Sequence, residues 1–306
     1  MYNSSKGDVQ DPICLWPMPS EVKQEFTRYF AIGIVNIVLA ITASSGNILI
    51  LVALQKEFTL SAQSRVLFRS LATSDLSVGL ISQPLYAASI LLLSNEHHWD
   101  VCRSIRQLTY VVSTTLCGVS LLTLTAISMD RLLVLLLRRY KYRKFVTRGR
   151  VKAVVGCFWI TSFAISFVDL KNRRVFFIVT GLGIMLNIAL STFSYFTIFF
   201  VLRRRQNRIY IVDSRQQVNS FQFNRSQRFR KTVYSVLWVH FTMVFCYFPY
   251  SVLEAIVAIT GTTFSLPILI GGSCLVTLIY LNSSINPFLY CWRINEVRQA
   301  VKQIFS

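Results

Sequence analysis

The chain has 306 residues, 53% of them apolar and only 15% charged, with a mean hydropathy of +0.50 and a formal net charge of +19. Soluble domains carry roughly 25% charged residues, so this composition excludes a disordered chain and points to an integral membrane protein; the length excludes a small disulfide scaffold. The positive charge does not indicate nucleic acid, because Lys and Arg cluster between apolar runs, at 138–152 and 203–231, as expected of cytoplasmic loops.

Residues 1–26 are polar, contain Pro12, Pro17, Pro19 and four acids, and read as an extracellular N-terminal segment with no cleavable signal peptide. A bilayer core of roughly 30 Å needs about 20 apolar residues per helix. Seven stretches qualify: about 27–54, 66–93, 103–137, 151–168, 175–202, 232–259 and 266–292, called spans 1 to 7 below. The fold class is therefore an all-α membrane protein, a seven-transmembrane helix bundle over 27–292. Span 3 is the longest and must tilt or protrude; span 4 is the shortest. Residues 293–306 form a basic stretch and a short cytoplasmic tail, with Ile294, Val297, Val301, Ile304 and Phe305 at helical spacing. That stretch is expected to lie on the membrane surface as a short amphipathic helix.

Alternate connections differ in charge. The N-terminal segment and the turns near 94–103, 169–174 and 260–265, with their helix ends, hold 8 basic and 8 acidic residues; the opposite side holds 24 basic and 4 acidic. The N-terminus is expected outside and the C-terminus in the cytoplasm, in a multi-pass protein of the plasma membrane. Asn3 opens a glycosylation sequon on the outer side, whereas the sequon at Asn224 falls on the cytoplasmic side. The seven cysteines form no CxxC pair, which argues against zinc ribbons and redox dithiols.

Polar groups at bilayer depth are costly, so each is either a functional group or an interhelical hydrogen bond. Asp75 is the one carboxylate deep in a span. Asn47, Ser120, Asn282, Ser283 and Asn286 lie at similar depths. Neutral oxygens around one carboxylate suit a small cation such as Na⁺, or a water-filled polar network. Asp130-Arg131 at the inner end of span 3 can pair locally or simply snorkel to the interface. Pro287, within Asn286-Pro287-Phe288-Leu289-Tyr290, and Pro249, within Cys246-Tyr247-Phe248-Pro249-Tyr250, remove backbone donors and are expected to kink spans 7 and 6.

These residues carry a resemblance. Gly46-Asn47 in span 1, the run ending at Asp75 in span 2, Asp130-Arg131 in span 3, Trp159 in span 4, Tyr195 in span 5, Cys246 to Pro249 in span 6 and 286–290 in span 7 occur one set per span, in order. Together they resemble the rhodopsin-like (class A) G-protein-coupled receptors. The resemblance implies a receptor, not an enzyme, that binds an extracellular small-molecule, lipid or peptide ligand and activates a heterotrimeric G protein at its basic cytoplasmic face. Its activation switch would comprise Asp130, Arg131, Tyr195, Pro249, Asn286, Pro287 and Tyr290. A sodium pocket would comprise Asp75, Ser120, Asn282, Ser283 and Asn286, with Asn47 nearby; no other cofactor is expected.

Departures from the family pattern carry expectations too. Leu132 follows Asp130-Arg131 where the family has Tyr, and Tyr247 stands where it usually has Trp. The start of span 6 reads Arg228-Phe229-Arg230, with no acid to hold Arg131, so basal activity is expected. The short loop at 169–174 lacks the usual cysteine. Cys14 and Cys102 are left as a pair that either bridges or stays free. This short loop, and a span 5 without the usual proline, are similar to the melanocortin, cannabinoid and lysophospholipid receptors.

The ligand pocket is expected between the outer halves of spans 3, 5, 6 and 7, from Tyr110, Ser113, Thr114, Cys117, Tyr247, Tyr250, Ser251, Glu254, Val276 and Tyr280. Ser113 stands where aminergic receptors carry Asp, and Tyr280 where opsins carry Lys. Glu254 can meet a cationic ligand group or pair with Arg173 or Arg174. Membrane lipid is a further partner of the basic face; nucleic acid is not expected. Ser306 is the one hydroxyl of the tail, so arrestin capture is expected to be weak. The alternatives are a receptor-like protein that does not signal, and a transporter, which would need a deep polar pathway. A membrane hydrolase would need metal ligands, and His97, His98 and His240 do not cluster.

Overall fold

The computed structural model describes residues 26–56, 61–91, 99–137, 139–213, 220–260 and 266–293. Among them there is no strand. Ten helices follow in chain order: α1 Phe26–Lys56, α2 Ala62–Ser77, α3 Gln83–Leu91, α4 Trp99–Leu136, α5 Arg139–Phe145, α6 Arg148–Ser166, α7 Val168–Lys171, α8 Arg173–Asp213, α9 Ser220–Thr260 and α10 Leu266–Arg293. Spans 1, 3, 4, 5, 6 and 7 are α1, α4, α6, α8, α9 and α10. Span 2 is α2 and α3 joined by a π-helical turn at Val78–Ser82.

That turn ends two residues before Pro84. Proline has no N–H, so the Leu80 carbonyl lacks its usual donor, and a widened turn accommodates the ring. Five of the helices are long and apolar enough by themselves to cross a membrane: Thr27–Gln55, Ser104–Leu136, Arg173–Arg204, Leu237–Thr260 and Ile268–Leu289. Span 2 falls short because it is divided and buries Ser70, Ser74 and Asp75. Span 4 falls short because it opens with Arg148, Arg150 and Lys152. Both are held by packing, span 2 against spans 1 and 3 and span 4 against span 3.

Several segments that read as loops are helical. Spans 5 and 6 continue to Asp213 and back from Ser220, so most of 203–231 is helix. Part of 138–150 is α5, pinned at its end by the Arg150 guanidinium, which donates to the Phe145 carbonyl at 2.9 Å, and by Gln63, which donates to the Val146 carbonyl at 2.8 Å. Thr147 caps span 4 by accepting the Arg150 N–H at 3.4 Å. On the other side the 169–174 connection is a single turn, with the Asn172 side chain accepting the Val175 N–H at 3.1 Å. Spans 6 and 7 run as continuous helices through Pro249 and Pro287.

Three apolar clusters fill the bundle. The largest packs Leu54, Leu71, Leu124, Ile198 and Met243 in the inner half; a second gathers Tyr29, Tyr86, Leu116 and Tyr280; a third joins Phe176, Phe177, Val257 and Ala258. The outside is as apolar as the inside: Ile259 is 78% exposed and Ile160 71%. An exterior of that kind matches lipid, and the polar side chains turn inward. The segments 1–25 and 294–306, and the side chains of Cys102 and Tyr290, lie outside the described residues, so the Cys14–Cys102 pair, the sequon at Asn3 and the terminal amphipathic helix are not placed.

Candidate functional site

Three sites are stacked along span 3. The outermost is a cavity of about 290 Å³ between spans 3 to 7, with Tyr86 and Ser89 from span 2 at one end. Nine of the ten expected residues line it: Tyr110, Ser113, Thr114, Cys117, Tyr247, Tyr250, Glu254, Val276 and Tyr280. Ser251 does not. It is buried with its hydroxyl donating to the Phe248 carbonyl at 2.7 Å, and Met185 sulfur lies 3.3 Å away on span 5.

The Ser113 and Tyr280 hydroxyls share a hydrogen bond of 2.6 Å, tying span 3 to span 7 at the cavity wall. Tyr86 meets the Tyr280 ring edge-on at 5.7 Å. The Tyr247 hydroxyl donates to the Cys117 carbonyl at 3.3 Å, so this ring both lines the cavity and touches the backbone one turn above Ser120. Glu254 is 2% exposed; one carboxylate oxygen accepts the Thr180 hydroxyl at 2.8 Å and the other has no hydrogen-bond partner. Arg174 donates to the Ala258 carbonyl at 3.0 Å, and Arg173 lies over the Tyr110 and Phe177 rings at 5.7 and 5.8 Å.

The middle site is the fully buried carboxylate of Asp75. Its Oδ1 accepts the hydroxyls of Ser120 and Ser283, both at 2.8 Å, and its Oδ2 accepts the Asn286 amide at 2.8 Å. Asn47 donates to the carbonyls of Ala43 at 2.8 Å and Ser283 at 3.1 Å, which joins span 1 to span 7. Both amide atoms of Asn282 and the side-chain carbonyls of Asn47 and Asn286 are buried without a partner. Buried polar atoms normally find one. Unpaired oxygens beside a carboxylate are what a hard cation or ordered water takes up. Among the described residues there is no group of three or more His, Cys, Asp or Glu, so such a cation would rely on neutral oxygens.

The innermost site holds Arg131. Its guanidinium lies 3.5 Å from Asp130 and donates to the Ser64 hydroxyl at 2.8 Å. Asp130 also accepts Ser64 at 3.1 Å and the Tyr142 phenol at 2.6 Å. Burial holds that phenol well above its ordinary range, and the bond to Asp130 and the carboxylate charge add to the effect. Tyr195 accepts the Ser128 hydroxyl at 3.1 Å and packs against the His240 ring at 4.9 Å, linking spans 3, 5 and 6.

A family model for the seven-transmembrane receptors of the rhodopsin family matches residues 46–175, which include Asp75, Ser120 and Arg131. The chain is 23% identical to an adenosine receptor A3 of Ovis aries, over 87% of its own length and 86% of the relative's. It is 24% identical to a high-affinity lysophosphatidic acid receptor of Xenopus laevis, over 88% and 80%, and 25% identical to a histamine H2 receptor of Cavia porcellus, over 92% and 81%. These matches support a rhodopsin-like (class A) G-protein-coupled receptor.

The receptor is thus a multi-pass protein of the plasma membrane whose family couples extracellular ligands to G proteins and is not enzymatic. Sequence reasoning missed several residues lining the receptor's cavity: Arg106 and Thr109 on span 3, Thr161 and Ser162 on span 4, and Phe176, Thr180 and Asn187 on span 5. Arg106 was legible, since 106, 110, 113 and 117 continue one helical face. The residues of span 4 were not, because polar residues on a lipid-facing and a cavity-facing surface look alike in one sequence.

Proposed function

We propose that the receptor binds an extracellular ligand of small-molecule size in the span 3–7 cavity and activates a heterotrimeric G protein at its cytoplasmic face. The N-terminus is outside and the C-terminus inside. The observation that carries this reading is the alignment of three sites on one helix: Ser113 and Cys117 at the cavity, Ser120 on Asp75, and Asp130-Arg131 at the inner end. A ligand that prefers one arrangement of the bundle shifts the whole population. Release of Arg131 from Asp130 and Ser64 then frees a cation for the G protein, while Tyr195, Pro249, Asn286, Pro287 and Tyr290 take part in the rearrangement. The relatives' names give adenosine, lysophosphatidic acid and histamine at nearly equal identity, so kinship does not choose the ligand.

The test measures basal nucleotide exchange on a panel of G proteins for the wild type and Arg131→Ala at matched surface expression. The expected result is wild-type exchange that is lost in the variant. Equal silence from both would sink the basal activity expected from the acid-free start of span 6.

The Asp75 site is proposed to hold Na⁺, with Ser120, Asn282, Ser283 and Asn286 as oxygen donors and Asn47 behind them. The unpaired Asn282 and Asn286 carbonyls support it. Sodium in place of N-methylglucamine should raise the unfolding temperature of the wild type and leave Asp75→Asn unmoved. An equal response in both would remove the cation from this site.

A further inference from the structure

We propose that the ligand is a single-chain lipid that reaches the cavity from the outer leaflet of the bilayer, through a gap between spans 4 and 5. The inference rests on the reading that this cavity is the ligand site, and it supplies the ligand's chemical class and its route. Among the described residues of the cavity lining, only Thr161 on span 4 and Val179 on span 5 are exposed; the others are buried or partly buried. The cavity therefore meets the outer surface at the seam between these two helices. Each of them packs closely on span 3, but they touch one another only sparsely. Val179, Gly183 and Asn187 follow i, i+4 spacing, so one stripe of span 5 faces the gap. Thr161 and Ile165 form the corresponding stripe of span 4. Gly183 leaves the gap open: it is partly exposed, and a Cβ there would meet nothing within 4 Å.

A molecule at that mouth is dissolved in lipid. At 1.5 Å per residue, Thr161 lies about 8 Å below the outer end of span 4 and Gly183 about 15 Å below that of span 5. The surrounding side chains Ile160, Phe163, Leu182 and Leu186 are apolar and exposed, a surface that matches hydrocarbon. The interior is graded for an amphiphile. Ser89, Arg106 and Thr109 stand at the outer end, whereas Leu121, Leu122 and Ile184 line the deep end. On span 3 the lining runs from Arg106 to Leu122, about 24 Å of helix, so a volume of about 290 Å³ is drawn out into a narrow void. At about 30 Å³ for a group the size of a water or a methylene, that void takes a chain of about ten carbons. A chain laid with its head outward keeps its tail among apolar side chains and brings its polar group to hydrogen-bonding ones, the usual division of labour in a ligand pocket.

The test uses the full-length receptor in nanodiscs that contain monodecanoylglycerol carrying a diazirine at the end of its chain. Photolysis and peptide mapping should mark Leu121, Leu122 or Ile184 in the wild type. Gly183→Phe fills the gap from span 5, into space that no other side chain occupies. Thr161→Trp narrows it from span 4, at an exposed position where bulk does not disturb the fold. Loss of most of the deep labelling in either variant is expected, with labelling of Ile160 and Leu182 on the outer surface retained. Labelling confined to the outer surface in the wild type, or deep labelling undiminished in both variants, would overturn the proposal.

A second measurement needs no variant. Butanoyl-, decanoyl- and hexadecanoylglycerol are compared at equal mole fraction of the bilayer, so that partitioning into lipid does not enter the comparison. The decanoyl and hexadecanoyl compounds should raise the unfolding temperature of the wild type and the butanoyl compound should not. Equal shifts for all three, or no shift with any, would overturn the proposal. The Arg131→Ala exchange experiment uses no ligand, so failure of the lipid proposal and failure of the receptor reading are read separately.

Discussion

Asp130 is held from three directions: by Arg131 beside it, by Ser64 from span 2 and by the Tyr142 phenol from α5. The restraint expected from an acid at the start of span 6 is thus replaced, in part, by hydroxyls from elsewhere. Tyr142→Phe removes one buried hydrogen bond to a charged group, a loss of about 1.5–3 kcal/mol. It should lower the unfolding temperature and raise basal nucleotide exchange; unchanged exchange would show that α5 does not restrain Arg131. The phenol is raised above its ordinary value near 10, so the folded state keeps its proton more firmly than the unfolded chain does. Its contribution is therefore fully present below about pH 10 and fades only as the pH rises above that. The difference in unfolding temperature between wild type and Tyr142→Phe should be constant from pH 6 to 9. The Asp75 partners were legible in the sequence because polar residues stand out in apolar runs. Tyr142 was not, because its role depends on a short helix folding back under span 3. Ser251 misled for a different reason: helical spacing places it on the face of Tyr247 and Glu254 but does not say which flank of that face meets span 5.

Elements meet through small residues. A Cβ at Gly46 would come within 2.9 Å of the Pro287 ring, so span 1 passes directly over the proline of span 7. Gly46→Val should overpack this crossing and cost about 1–3 kcal/mol. The expected outcome is reduced surface expression and a lower unfolding temperature, with Gly46→Ala milder. Normal expression and stability of the valine variant would show that the two helices separate easily. The long apolar helices were readable because hydropathy reports which residues leave water. The same signal is silent on backbone conformation outside the membrane. Spans 5 and 6 therefore ran on, as helix, through segments whose charge made them read as loop. The π-helical turn at Val78–Ser82 was hidden as well: Pro84 announces a disturbed helix, but neighbouring packing decides between a kink and a widened turn.

At the scale of the whole receptor, charge is divided between the two faces, with 24 basic and 4 acidic residues on the side proposed to face the cytoplasm. Lys141, Arg143, Lys144 and Arg148 are exposed there, beside the exposed rings of Tyr140 and Phe145. A cation near an anionic leaflet contributes about 1 kcal/mol, and the attraction decays over roughly 8–10 Å at physiological salt. Topology alone would be satisfied by the charges wherever they lie in the loop. A surface contact additionally requires them to reach the headgroups. Nanodiscs containing phosphatidylserine should therefore stabilise the wild type relative to phosphatidylcholine alone, and replacing these four residues by Gln should remove most of the difference. Raising the salt from 0.05 to 0.5 M, a span of about threefold in screening length, should do the same to the wild type. If the four-residue variant keeps the full lipid dependence while still inserting with its N-terminus outside, the charges serve orientation and not contact with lipid.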